Sequence, residues 1–168
     1  DTFKVVYTGT VRPVNNVGNL LDTAKLLKDK KDIQFLIFGG GSELEKLQQR
    51  VKDEHLDNVL FKGFVENKYI PSILSRSSVN VLNYSQSNYN WSRGNSSNKL
   101  FEYMASGKPI ISTVKMGYCI LDKYQCGLYM EECTPQALAE QILKIHDMPA
   151  ETSSQMATNA QAGATDFD

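Results

Sequence analysis

Short apolar runs rich in β-branched and aromatic residues alternate with stretches of helical period along most of this chain. Phe3-Lys-Val-Val-Tyr-Thr-Gly9, Ile33 to Phe38, Asn58 to Phe64, Val79-Asn-Val-Leu82, Ile110 to Val114 and Gly127-Leu-Tyr-Met130 read as strands. Between them, Leu20, Leu21, Ala24 and Leu27, then Leu44, Leu47 and Val51, then Leu138, Ile142 and Ile145 recur at helical spacing. A short helix from about Lys68 to Ser75 separates the third and fourth runs. Such alternation builds βαβ units, whose right-handed crossovers make the sheet parallel. Ile33 to Phe38 is near-continuously apolar, as a parallel strand buried on both faces requires. The fold class is therefore α/β: one doubly wound, Rossmann-like three-layer domain over 1–168, with a mainly parallel sheet of about six strands. Ala150 to Gly163 is helix-prone but weakly apolar and is expected to pack loosely or to want a partner.

Capping chemistry places the helix ends. Asn15 or Asn16 suits the cap of the first helix and Ser42 that of the second. Thr134, with Pro135 at the first helical position, caps the helix near the C-terminus. The stretch Asn95-Ser-Ser-Asn-Lys-Leu-Phe-Glu-Tyr-Met-Ala-Ser-Gly-Lys-Pro109 holds the start, body and stop of one short helix. Asn95, Ser96, Ser97 and Asn98 suit its cap, and Leu100, Phe101, Met104 and Ala105 form its apolar face. Gly107 fits the left-handed position past its end, and Pro109 blocks continuation.

In doubly wound sheets ligands bind outside the carboxyl ends of the strands. Here those loops are Gly9–Asn16, Gly39–Ser42, Gly63–Lys68, Asn83–Asn98 and Val114–Tyr118. Lys99 falls in the first turn of the Asn95–Pro109 helix, where a cation opposes the helix dipole unless an anion sits in front of it. Glu102 lies one turn deeper on nearly the same face. Diphosphate at the mouth and ribose hydroxyls on the acid would suit that spacing, and so would an ordinary surface Lys/Glu pair. Gly39, Gly40 and Gly41 let backbone approach a phosphate, or simply turn the chain tightly. The full dinucleotide fingerprint is absent, since Leu44 stands three beyond Gly41, which weakens a nicotinamide-cofactor reading.

Asn98-Lys-Leu-Phe-Glu-Tyr-Met-Ala-Ser-Gly-Lys-Pro-Ile-Ile111 resembles the signature segment in the donor-binding half of retaining, GT-B-fold glycosyltransferases of the large group 1 family. Tyr7-Thr-Gly9, Phe35-Leu-Ile-Phe-Gly-Gly-Gly-Ser-Glu43 and Val59-Leu-Phe-Lys-Gly-Phe-Val65 follow in the order of that family, so the resemblance covers nearly the whole chain. It implies the C-terminal half of a GT-B fold, binding a nucleoside diphosphate sugar for retaining transfer to a saccharide or lipid-linked acceptor. The acceptor-binding N-terminal domain would be missing, which agrees with the abrupt start at Asp1-Thr-Phe-Lys4. Lys99 and Arg12 would stabilise the leaving diphosphate and so carry the catalysis. Gly9 and the three glycines from Gly39 to Gly41 would border the donor, and Phe64 and Val65 match the place that holds the base edge. Glu102 resembles the ribose-binding acid. The family's upstream glutamate should fall where this chain has Gly94, and no acid occurs from Asn83 to Lys99. Sugar contacts are then expected from Asn, Ser, Tyr, Arg93 or backbone N–H groups, and Arg93, Gly94, Ser96, Ser97 and Asn98 are expected among the donor-binding residues; Trp91 would stack on a ring or cover the loop.

The other classes open to this sequence are a non-catalytic nucleotide- or nucleotide-sugar-binding module and a sugar-nucleotide epimerase half-domain. A net charge of -1 gives no electrostatic case for nucleic acid or an anionic membrane. No apolar run nears the ~20 residues that span a bilayer, and any membrane contact, at the inner face, would be made through the missing half. Cys119, Cys126 and Cys133 match no zinc spacing, and their small odd number suits a reducing, cytoplasmic compartment. With no carboxylate cluster in view, neither metal nor other cofactor is expected. His55 and His146 fall on helix ends away from the candidate loops.

Overall fold

A computed structural model describes residues 2–12, 16–82, 98–112, 127–129 and 134–164. Its strands are β1 (Phe3–Thr8), β2 (Ile33–Phe38), β3 (Val59–Gly63), β4 (Val79–Leu82), β5 (Ile110–Ser112) and β6 (Gly127–Tyr129). Its helices are α1 (Gly18–Leu26), α2 (Leu44–Asp53), α3 (Ile70–Ser75), α4 (Asn98–Ala105), α5 (Pro135–His146) and α6 (Ala150–Ala164). The strands form one sheet in the order β3-β2-β1-β4-β5-β6, with every neighbouring pair parallel. The order reverses between β1 and β4, which is the switch point where such sheets open a crevice.

Strand alternation divides the core into two layers. Val5, Tyr7, Phe35, Ile37, Val79, Val81 and Ile111 join one apolar cluster with Leu20, Leu21 and Ala24 of α1, Leu47 of α2, and Leu138, Ile142 and Ile145 of α5. Residues of the opposite parity, Thr8 and Asn80, bond to the other layer: Thr8 to Tyr103 of α4, and Asn80 to the Leu74 carbonyl of α3 and to Ser106. Burial of β2 alternates rather than running continuous, with Gln34, Leu36 and Phe38 only half-buried. β3 is an edge strand, and Leu60 and Lys62 on it stay exposed.

Several local expectations change. Val17 and Glu43, rather than Asn16 and Ser42, occupy the N-cap positions, with no side-chain cap bond, and Asn15 lies outside the described residues. Asn16 instead takes a left-handed φ of 49° and its carbonyl accepts the Asn19 N–H. Glu43 N–H is taken by the Val11 carbonyl at 3.0 Å, a long-range partner that no local pattern reveals. The helix expected from Lys68 begins as a 3-10 turn, Asn67–Tyr69, before α3. Among the α4 side chains described, Tyr103 and Met104 are buried while Ala105 is exposed; those of Leu100 and Phe101 lie outside the described residues. The caps expected at Asn95, Ser96 and Ser97, and the strand residues beyond Ser112, lie outside the described residues. Thr134 does cap α5, its Oγ1 accepting the Ala137 N–H at 3.0 Å, and Gly107 does adopt the left-handed φ, at 73°.

The tail expected to pack loosely is a regular helix docked on α4. Ala160 is fully buried, and a Cβ at Gly107 would lie 2.5 Å from the Gln161 amide. Small residues succeed here because they let two backbones approach closely.

His146 sits at the amino edge of the sheet, edge-on to Phe3 at 5.1 Å, with its ring nitrogens 2.6 Å from Asp32 and 2.7 Å from Asp147. The bond to Asp32, then that to Asp147, raises the imidazole pKa above its ordinary value. A raised folded-state pKa stabilises the fold below the unfolded value, near 6.5, and that contribution is lost as pH rises through the folded value. Between about pH 6 and about pH 9, Tm should therefore fall slightly, by about 2–4 °C at most for a surface pair, and His146→Asn should remove that fall. Parallel slopes for the two proteins in calorimetry would remove the ion pair from this account.

Candidate functional site

Glycine follows the carboxyl ends of β1 and β2, at Gly9 and Gly39, and closes β3 at Gly63. Gly9 N–H donates to the Phe38 carbonyl at 3.0 Å, and Gly39 N–H donates to the Gly63 carbonyl at 2.8 Å. Gly39 has φ 135°, and a Cβ there would stand 1.7 Å from the Gly9 carbonyl oxygen. A Cβ on Gly41 would stand 2.4 Å from the Val11 carbonyl oxygen, whereas one on Gly40 would meet nothing within 4 Å. Gly39 and Gly41 thus press the two loops together backbone to backbone, and Gly40 faces open space.

These loops floor a pocket of about 210 Å³, with Gly9, Thr10, Gly39 and Gly40 on one side and Phe64, Val65, Asn67 and Ile70 on the other. Phe64 is 82% exposed, an unusual cost for a phenylalanine unless something flat covers it. The pocket brings together Gly9, Gly39, Gly40, Phe64 and Val65 among the expected site residues. Gly41 serves the contact with Val11 instead of lining the pocket. Because the Gly9 and Gly39 N–H groups are already bonded between strand ends, those residues shape the floor and do not offer donors to an anion.

The remaining candidates flank the pocket in the chain. Arg12 is exposed on the loop after β1. Asn98 and Lys99 form the first turn of α4, and Glu102 follows on the same helix with its side chain exposed. Because α4 returns from β4 across the sheet, its N-terminus opens at the carboxyl edge. Arg93, Gly94, Ser96, Ser97 and Trp91 lie outside the described residues.

Residues passed over in the sequence also shape this edge. Tyr103 is fully buried, and its hydroxyl lies 3.1 Å from Thr8 N and 3.2 Å from Thr8 Oγ1. Tyr7, equally buried, donates its hydroxyl to the Thr10 carbonyl at 2.8 Å. Both tyrosines look like core residues in sequence, and nothing local signals that their hydroxyls hold the loops. Asn67 and Ile70 belong to the 3-10 turn and the start of α3, whose weak pattern carried no ligand signal. Two other depressions lie elsewhere: about 150 Å³ beside Lys28, Lys30 and Lys31 near the start of β2, and about 530 Å³ between α1 and α2 beside Lys46 and Arg50. Neither touches the switch point.

Residues 1–163 match the family described as Glycosyl transferases group 1. This chain belongs to that family. A curated relative, the 2-deoxystreptamine N-acetyl-D-glucosaminyltransferase of Niallia circulans, is 27% identical over 111 residues, covering 65% of this chain and 27% of its own length. Among solved structures, a mutant TarM of S. aureus, in complex with Fondaparinux, alpha-GlcNAc-glycerol and UDP, superposes with TM-score 0.80 at 18% identity over 98% of this chain. The Anabaena protein Alr3699/HepE, in complex with UDP and glucose, gives TM-score 0.78 at 20% identity over 98% of this chain. This group 1 chain spans only 32% and 44% of those two structures. The expected GT-B-type, Rossmann-like α/β domain is thus the observed one, with six parallel strands. Among the described residues, no helix is long and apolar enough to cross a membrane.

Proposed function

We propose that this chain is the donor-binding, C-terminal half of a retaining GT-B glycosyltransferase. It would hold a nucleoside diphosphate sugar while an N-terminal domain presents a saccharide or lipid-linked acceptor. The observation that carries the reading is the glycine-floored pocket beside the switch point, in a chain of the group 1 family. The base enters between Gly39-Gly40 and Phe64-Val65, whose backbone groups read its edge and whose phenyl ring covers its face. At about 210 Å³ the pocket suits one ring system, leaving the diphosphate to extend toward the mouth of α4.

There the first N–H groups of the helix, Lys99 and Arg12 face the anion, and Glu102 accepts the ribose hydroxyls. Departure of the sugar adds negative charge to the diphosphate. The same fixed donors stabilise that charge best in the transition state, which is electrostatic catalysis without a metal. Arg93, Gly94, Ser96, Ser97 and Asn98 would supply the sugar contacts in place of the upstream acid. The UDP bound in the related TarM and Alr3699/HepE structures supports UDP as the first probe.

Glu102→Gln tests the assignment. Loss of charge-assisted bonds to the ribose should weaken UDP by about 1.5–3 kcal/mol, roughly 10–150-fold, and leave inorganic pyrophosphate nearly unchanged. Calorimetry in EDTA should match calorimetry without it. Equal losses for both ligands would move the ribose elsewhere, and binding that requires Mg²⁺ would overturn the metal-free reading.

A further inference from the structure

Among the described residues, the β1–β4 ladder stops before the strands do. Its paired residues are Val5 with Val79 and Val6 with Asn80, so the crevice at the switch point opens at Thr8. On its other side β1 remains paired to the end, Thr8 lying opposite Phe38. Thr8 is itself buried, which leaves an N–H on the crevice side that β4 does not reach and that water does not solvate. The Tyr103 hydroxyl fills that place: it accepts the Thr8 N–H at 3.1 Å and lies 3.2 Å from Thr8 Oγ1 and 3.4 Å from the Thr8 carbonyl. One phenol has one proton and two lone pairs, so it can take the N–H and still donate to one Thr8 oxygen.

Its neighbours in the chain give this bond its meaning. Tyr103 follows Glu102 on α4, and Thr8 precedes Gly9 at the start of the loop that carries Arg12. The far end of α4 is pinned separately, by Asn80 Nδ2 to Ser106 Oγ at 3.2 Å. Tyr103 is therefore the side-chain bond, among those described, that ties the ribose-facing helix directly to the strand bearing the diphosphate-facing loop. Resting on the donor-binding reading above, we propose that Tyr103 is a positioning residue: its hydroxyl holds α4 in register with the Gly9–Arg12 loop, so that one nucleotide engages both at once.

A linked ligand gains over its two pieces only if both subsites are held at the right separation. Removing the phenol oxygen frees α4 to shift against β1 while leaving each subsite intact. The test measures UDP, uridine and inorganic pyrophosphate on the 168-residue chain and on Tyr103→Phe, using NMR titration for the weak pieces. UDP should weaken at least about tenfold, with uridine and pyrophosphate each within about twofold. A merely structural role would weaken all three alike, and that result, or unchanged UDP affinity, would overturn the proposal. If Tyr103→Phe does not fold, Thr8→Val removes only the hydroxyl partner. It should then show the same selective loss at about threefold, and a uniform loss or none overturns the proposal equally. A parent chain that binds no UDP would instead overturn the donor-binding reading itself.

Discussion

Gly39→Ala should be strongly destabilising, because Gly39 has the tightest surroundings of the described glycines whose Cβ space is known. Gly39 combines φ 135° with a hypothetical Cβ 1.7 Å from the Gly9 carbonyl oxygen, about half an ordinary contact distance. An alanine must either leave that backbone conformation or force the ends of β1 and β2 apart. Leaving it would break the Gly39 N–H bond to the Gly63 carbonyl, and forcing would break the Gly9 bond to the Phe38 carbonyl. The atom it strikes is backbone, so no side chain can rotate out of the way. Strain and lost bonds together are expected to cost about 3–5 kcal/mol, a Tm drop of roughly 10 °C or more for a chain of this size. Whatever folded protein remains should have lost UDP binding, because Gly39 forms the pocket floor. Gly40→Ala is the matched control. Its Cβ would meet nothing within 4 Å, so stability should stay within about 0.5 kcal/mol. Equal melting temperatures for Gly39→Ala and the parent would show that the strand ends are not packed as described.

The second large effect concerns turnover. The chain spans 27% of its curated relative and 32% and 44% of the two solved structures compared above. If it is a donor half, it should bind UDP-sugars and transfer nothing by itself. Transfer needs donor and acceptor held together, and that proximity contributes about 7–11 kcal/mol in well-oriented systems. The departing sugar would also face water rather than a closed, preorganised cleft. Labelled UDP-sugars incubated with saccharide and lipid-linked acceptors should give no product above background, although the nucleotide binds. Supplying an acceptor half should restore transfer. Robust turnover by this chain alone would show a complete enzyme and overturn the half-domain reading, while nucleotide binding that no partner converts to transfer would favour a binding module.

Much of this was legible locally. Periodicity separated helices from strands, since burial on a helix repeats every 3.6 residues and on a strand every two. Thr134 and Gly107 signalled their roles because capping and left-handed turns depend on a few adjacent atoms. The caps expected at Asn15 or Asn16 and at Ser42 are displaced to Val17 and Glu43 for the complementary reason. The loop after β2 takes its shape from the Val11 carbonyl, which receives the Glu43 N–H from across the sheet edge. The weakly apolar C-terminal helix was misjudged because composition measures how much surface can be buried, not how closely two backbones can approach. Met156, Ala160 and Gly163 bury a narrow face that few residues would have betrayed.

By itself the sequence determined the α/β alternation, the parallel sheet, the carboxyl-edge loops and the motif order that resembles the group 1 family. All of these depend on residue types read over short windows. The tertiary structure alone decided the strand order, which puts the switch point between β1 and β4, and which glycines line the pocket and which merely press loops together. It also decided that Tyr103 meets Thr8, 95 positions away, at the mouth of the crevice. A buried N–H without a strand partner must find an acceptor, and which distant residue supplies it is settled only when the layers pack.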